Sequence, residues 1–251
     1  AVSNGRTNLL MYAVMRFGKS ITSLWCAKEI DSKLTIVVSA KADVRSEWKH
    51  AVETHTDFTG YRFIESSDLD SSASIDGIYG NEFYTGDGKT EICTHIVLFL
   101  TLQDLAGSSA TVKKHHTALQ NIKPDLLIID ETHFGARAQV LGKILAGVEL
   151  SKEDEDSLKQ TDGIDELGTI KGLNAISARV KLHLSGTPYR ILMGSEFAKE
   201  DIIAFVQFSD IYESKMKWSI NNLDDINKSE WDNPYYGFPQ MIRFAFNPNE
   251  S

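Results

Sequence analysis

A chain of 251 residues with 42% hydrophobic and 24% charged residues has the make-up of an ordinary globular protein able to bury one good core. No apolar run reaches the roughly 18 residues of a membrane helix, and no signal-peptide pattern follows Ala1 to Arg6, so a cytoplasmic, membrane-free setting is expected. Thirty-five acidic against 26 basic residues, net charge -9, exclude a self-sufficient basic nucleic-acid binder, though not a local basic groove or a partner that brings the positive charge.

Short apolar runs alternate with amphipathic stretches, the pattern of a mostly parallel sheet with helices on both faces. Leu9 to Val14 reads as a buried strand and Ser20 to Ile30 as the helix after it. Leu34 to Ser39 is a second strand, rich in β-branched residues and suited to burial on two sides. Val44, Trp48 and Val52 at helical spacing predict a helix over about 42–53. Tyr61 to Ile64 is a weaker strand, and the Ser/Asp/Gly-rich Ser66 to Gly80 a loop. His95 to Leu100 is again strand-like, and Val112 to Asn121 helical. Asp125 to Ile129, opened by Pro124 and filled with aliphatics, is the clearest strand. A helix over 138–146, an acidic insertion from Ser151 to Glu166 and a helix over 170–178 lead to a last core strand, Val180 to Ser185. A short helix, Lys199 to Phe208, gives way to an aromatic tail with Trp218, Trp231, Tyr235 and Tyr236, expected to pack on the core or lead to a further domain. Both chain ends read as cut from something longer. Cys26 and Cys93 each sit in an apolar run, as reduced thiols do, with no spacing for zinc.

Ala13-Val14-Met15-Arg16-Phe17-Gly18-Lys19-Ser20 lies between a predicted strand and a predicted helix. Backbone N–H groups of such a loop, with the positive end of the helix, surround phosphate. Lys19 would reach the β- and γ-phosphates of ATP, and the Ser20 hydroxyl would ligate Mg²⁺. The strict pattern has Gly where Ala13 stands and commonly a second where Arg16 stands, so chance occurrence of Gly-Lys-Ser at a helix start is the competing reading. Gly86-Asp87-Gly88-Lys89-Thr90 carries similar letters, but its polar, strand-like flanks predict a hairpin turn instead.

Leu126 to Ile129 ends in Asp130 and Glu131, at the strand terminus where ligands bind in parallel sheets. Asp130 would hold Mg²⁺, Glu131 would orient and deprotonate the attacking water, and His133 would lie beside the γ-phosphate and relay its presence. Ser185, Gly186 and Thr187 follow another core strand and suit a hydrogen-bonded switch, against the plainer reading of a Gly-Thr-Pro turn.

Taken together these segments resemble the first motor domain of superfamily 2 (DEAD/DEAH-like) helicases and translocases, with a likeness to the motor subunits of type III restriction enzymes. Ala13 to Ser20 looks like motif I, with Arg16 replacing its first Gly and Ser20 its Thr. Thr35 to Lys41 is similar to motif Ia, Phe99 to Leu105 to motif Ib, Asp130 to His133 to a DExH motif II and Ser185 to Arg190 to motif III. The resemblance implies a three-layer RecA-like fold, a phosphate loop of Ala13, Arg16, Phe17, Gly18, Lys19, Ser20 and Ile21, and ATP with Mg²⁺ as cofactors. It also implies that Ser39, Lys41, Thr101 and Gln103 face the phosphodiester backbone of DNA, with RNA as the alternative. Residues 1–195 then form the ATP-binding domain, with the acidic insertion at about 151–168, and 196–251 an extension toward a second RecA-like domain of the same full-length chain. Nuclease or methyltransferase modules are candidate companions. Without the second domain's arginine fingers, worth roughly 10³–10⁵ in rate, weak or no hydrolysis is expected of this piece alone. The competing functions are a P-loop ATPase that remodels RNA or protein, and a degenerate nucleotide-binding scaffold.

Overall fold

The computed structural model describes residues 1–39, 42–69, 75–105, 122–130, 176–186 and 197–238. Seven strands form one sheet: β1 (Asn8–Ala13), β2 (Leu34–Ser39), β3 (Tyr61–Glu65), β6 (His95–Thr101), β7 (Leu126–Asp130), β8 (Val180–Ser185) and β9 (Ile202–Val206). Their order is β3-β6-β2-β7-β8-β1-β9, and every neighbouring pair is parallel. This is the parallel α/β sheet expected from the alternation of runs, and it agrees with the RecA-like fold that the resemblance implies. β4 (Glu82–Tyr84) and β5 (Thr90–Ile92) make a separate antiparallel hairpin between β3 and β6 in sequence.

The central strands are buried throughout, as the aliphatic runs require: all six residues of β2 and all five of β7 are buried. Alternation divides their side chains between two cores. Val37, Leu126 and Ile128 join Leu9, Met11 and Leu184 on one face, while Ile36, Val38, Leu127 and Ile129 join Leu98 and Leu100 on the other. Helices α1 (Lys19–Glu29) and α2 (Arg45–Thr54) cover the first face, inserting Leu24 and Ala27, and Trp48 and Val52. Both connections run toward the β3 edge, which places their helices on one side of the sheet. On the second face, the described cover includes Leu69, Ile75, Ile78, Leu105 and Ile176. The helices expected over 112–121 and 138–146, and the insertion at about 151–168, lie outside the described residues. The helix read over 170–178 is described only at Ile176, Ser177 and Ala178, which are not helical. No described helix is long and apolar enough to cross a membrane.

One expectation is corrected. Residues 202–206 are not helical but form β9, a parallel edge strand on β1, preceded by one 3₁₀ turn (Lys199–Asp201) and followed by a 14-residue helix, α4 (Phe208–Asn221). Asp201 accepts hydrogen bonds from the Ala198 amide and from Arg6, so the strand start is tied to the chain's first turn. Asp210 likewise accepts from the Gln207 amide at 2.8 Å and starts α4. The tail packs back on α4: buried Asn233 donates to the Lys215 carbonyl, and Lys215 donates to the Tyr236 carbonyl.

Candidate nucleotide site

The sheet brings the candidate residues to a single edge. In a parallel sheet all strands end on the same side, and the register places Thr101, Ser39 and Asp130 abreast on β6, β2 and β7. Asp130 is in turn level with Leu184 on β8, and Ser185 with Tyr12 on β1, one residue short of Ala13. Five separate segments therefore reach the carboxyl edge, where α/β sheets bind ligands.

From β1 the chain turns through Val14–Phe17, with the Phe17 amide donating to the Val14 carbonyl, and enters α1 at Gly18, whose carbonyl accepts the first helical bond from Thr22. Two residues of this loop are left-handed: Gly18 at φ 86° and Arg16 at φ 64°. Glycine takes that conformation freely, whereas a side chain there costs about 1–2 kcal/mol. Arg16 thus occupies, at a cost, the position where the motif commonly has glycine. Its side chain is exposed. Gly18 offers no side-chain acceptor to the first-turn amides of α1, the arrangement found where a helix start receives an anion.

The Lys19 amine donates to the carbonyls of Ala13 (3.1 Å) and Val14 (3.3 Å), so it lies over its own loop. It also comes within 3.9 Å of where a Cβ on Gly186 would stand, with Met15 at 3.7 Å from the same point. Lys19 and the Ser185-Gly186 segment, far apart in sequence, are neighbours. Phe17, Lys19, Ser20 and Ile21 are half-buried, Ala13 is buried, and Asp130 is 8% exposed. Ser20 and Asp130 would present oxygen donors only, a set that suits a hard cation such as Mg²⁺, which takes one or two protein oxygens and completes its shell from phosphate and water.

The four residues assigned to a nucleic-acid strand separate. Ser39 is 1% exposed, sealed in the sheet beside Asp130. Thr101 caps the single-turn helix α3 (Leu102–Leu105): its amide and hydroxyl both donate to Asp104 at 2.8 Å. Gln103 is exposed. Lys41, like Glu131, His133 and Thr187, lies outside the described residues.

Sequence reasoning missed a polar contact beneath the site. The Trp48 indole N–H donates to Asp130 Oδ2 at 3.4 Å in a buried setting, joining α2 to the end of β7. Buried His183 on β8, with Nε2 2.9 Å from Asn8 Oδ1, also went unread. Burial, with Lys181 adding to it, pushes the imidazole pKa down to about 3. The Gly88-Lys89-Thr90 loop is the hairpin turn it was expected to be, with Lys89 paired to Asp87.

No family model matches the chain. Over 262 aligned residues, 97% of its length, it is 27% identical to the C-terminal part of a candidate type II restriction enzyme and methyltransferase of Mycoplasma pneumoniae. It spans about a third (32%) of that relative. Among solved structures it is similar to the SWI2/SNF2 ATPase core domain of Sulfolobus solfataricus, at 13% identity and TM-score 0.39 over 94% of this chain and 39% of that one. It is also similar to a nuclease-deletion mutant of the Type ISP restriction-modification enzyme LlaGI in complex with a DNA substrate mimic, at 12% identity and TM-score 0.38 over 90% and 22%.

Proposed function

We propose that this chain is the first RecA-like domain of a superfamily 2 motor that binds and hydrolyses ATP and works on DNA in a restriction–modification setting. The observation that carries the reading is the shared edge: the Lys19 amine beside Gly186, with Asp130 two strands away on the same carboxyl rim. The Mycoplasma relative, by its description, favours restriction–modification over RNA or protein remodelling.

In this reading the triphosphate lies on the Ala13–Ile21 loop. Lys19 exchanges its bonds to the Ala13 and Val14 carbonyls for β- and γ-phosphate oxygens, and the α1 amides and Arg16 add positive charge. Ser20 and Asp130 would hold Mg²⁺, which would offset the negative charge of the triphosphate. Glu131 orients and deprotonates water, and His133 with Ser185, Gly186 and Thr187 passes the state of the γ-phosphate onward. Gln103 and Lys41 contact the DNA backbone; Thr101 holds the Gln103 turn in place through its cap. Arginine fingers would come from a second motor domain, so basal turnover by the 251-residue chain is weak.

Hydrolysis by the longer protein, with duplex DNA, single-stranded DNA and RNA compared at several salt concentrations, tests this. Stimulation by DNA that falls steeply with salt, and that Gln103→Ala with Lys41→Ala weakens, is the expected result. Equal rates with and without every nucleic acid would refute the DNA motor.

A further inference from the structure

Trp48 does more than fill the core between α2 and the sheet. Its ring is completely buried, 0% exposed, among Val37, Val52, Val97 and Phe99, and an indole in such a place usually satisfies its one N–H donor. The acceptor is Asp130 Oδ2, the carboxylate that ends β7 on the rim of the site, 82 residues further along the chain. α2 begins six residues after Ser39, and Ser39 is itself the register partner of Asp130, so one contact links the connection leaving β2 to the acid on the adjacent strand.

From this geometry we infer that Trp48 is a positioning residue for the magnesium site: its indole N–H fixes the orientation in which Asp130 presents its carboxylate to the metal. The inference rests on the motor reading above and adds to it a residue outside every motif. A carboxylate that ends a strand can turn about its side-chain bonds, and a donor anchored in a packed helix restricts it to one arrangement. Partners of this kind, one step removed from a metal, typically change metal affinity or activity about 10- to 100-fold when removed. The 3.4 Å separation places Trp48 at the low end of that range.

Trp48→Phe keeps an aromatic ring and deletes the donor. ATP binding to the 251-residue chain is measured by calorimetry across a magnesium series and in EDTA. The magnesium concentration giving half-maximal binding should rise about 10-fold in Trp48→Phe, with binding in EDTA unchanged. Val52→Ala, which truncates a neighbouring buried side chain on α2 without touching a donor, should lower stability and leave that midpoint where it is. A wild-type midpoint in Trp48→Phe overturns the inference and leaves the motor reading intact. A wild-type chain that binds no ATP at any magnesium concentration overturns both. Should Trp48→Phe fail to fold, the indole ¹⁵N–H resonances of the four tryptophans decide the matter. The slowest to exchange, that of fully buried Trp48, should move on Asp130→Asn substitution and again when magnesium and ATP are added; a resonance that stays put in both overturns the inference.

Discussion

Gly18-Lys19-Ser20 and Gly88-Lys89-Thr90 present the same chemical groups in the same order, one at the end of β1 and the other beside the tip of the β4–β5 hairpin. Both loops turn through a left-handed glycine. What differs is everything around them. The first joins a buried strand, flanked on both sides in the parallel sheet, to an 11-residue helix, and its lysine lies over backbone carbonyls beside Gly186. The second is enclosed by two three-residue strands with exposed ends, and its lysine is held by Asp87 two residues away. A carboxylate partner saturates the ammonium locally, and no long helix starts there to offer amides to an anion. The same letters therefore give two different loops, because the elements they join differ.

The comparison breaks most visibly in stability. Leu10→Ala, which opens a cavity at a fully buried position of β1, should cost about 2–5 kcal/mol, whereas Tyr84→Ala on the hairpin, 81% exposed, should stay within about 0.5 kcal/mol by denaturant unfolding. Similar losses at both positions would show that the hairpin belongs to the same packed core. The sheet behind the first loop also has its own pH signature. His183 is held neutral by burial, so its folded pKa lies below the unfolded value of about 6.5. The unfolded chain then binds the extra proton. Stability is complete above about pH 6.5 and falls as the pH drops toward 3, by up to about 1.4 kcal/mol per pH unit. His183→Gln should flatten the decline in melting temperature between about pH 6 and 5, and a slope identical to wild type would remove His183 from the account.

Much of this was legible because burial on two sides leaves a plain mark. The strands Leu34–Ser39 and Val180–Ser185 show their bounds in their aliphatic and β-branched runs, and Asp-Gly between strand-like runs marks the hairpin turn. β9 was not legible. Ile202 to Val206 is an edge strand with alternate residues half-covered, and its partner β1 lies about 190 residues away, so nothing local distinguishes it from a short helix. The candidate site divides the same way. The placement of Lys19 and Asp130 on one edge could be read because one follows and the other ends a strong strand, and parallel strands end together. The Trp48–Asp130 contact could not, since it depends on how α2 is rotated against the sheet, and helical spacing identifies Trp48 only as core. Nor could the spacing show that Ser39 is sealed and that Thr101 is a cap.

The left-handed residues sharpen the comparison further, with a smaller effect. Arg16→Gly should raise stability by about 1 kcal/mol by relieving the φ 64° backbone, while Gly88→Ala at φ 81° should lower it by about as much. If Arg16 contributes charge to the triphosphate, Arg16→Gly will also weaken ATP binding, so that a more stable protein binds less well. A stabilised variant with unchanged affinity would mean that the guanidinium plays no part in the site.

The most direct test of the central claim is a calorimetric titration of Mg-ATP into the wild-type chain, Lys19→Ala and Lys89→Ala. Wild type and Lys89→Ala should bind alike, and Lys19→Ala should bind about 10- to 100-fold more weakly, the worth of one lysine's charge-assisted contacts to phosphate. A wild-type chain that releases no heat at millimolar nucleotide, or a Lys19→Ala variant that binds as tightly as wild type, would contradict it.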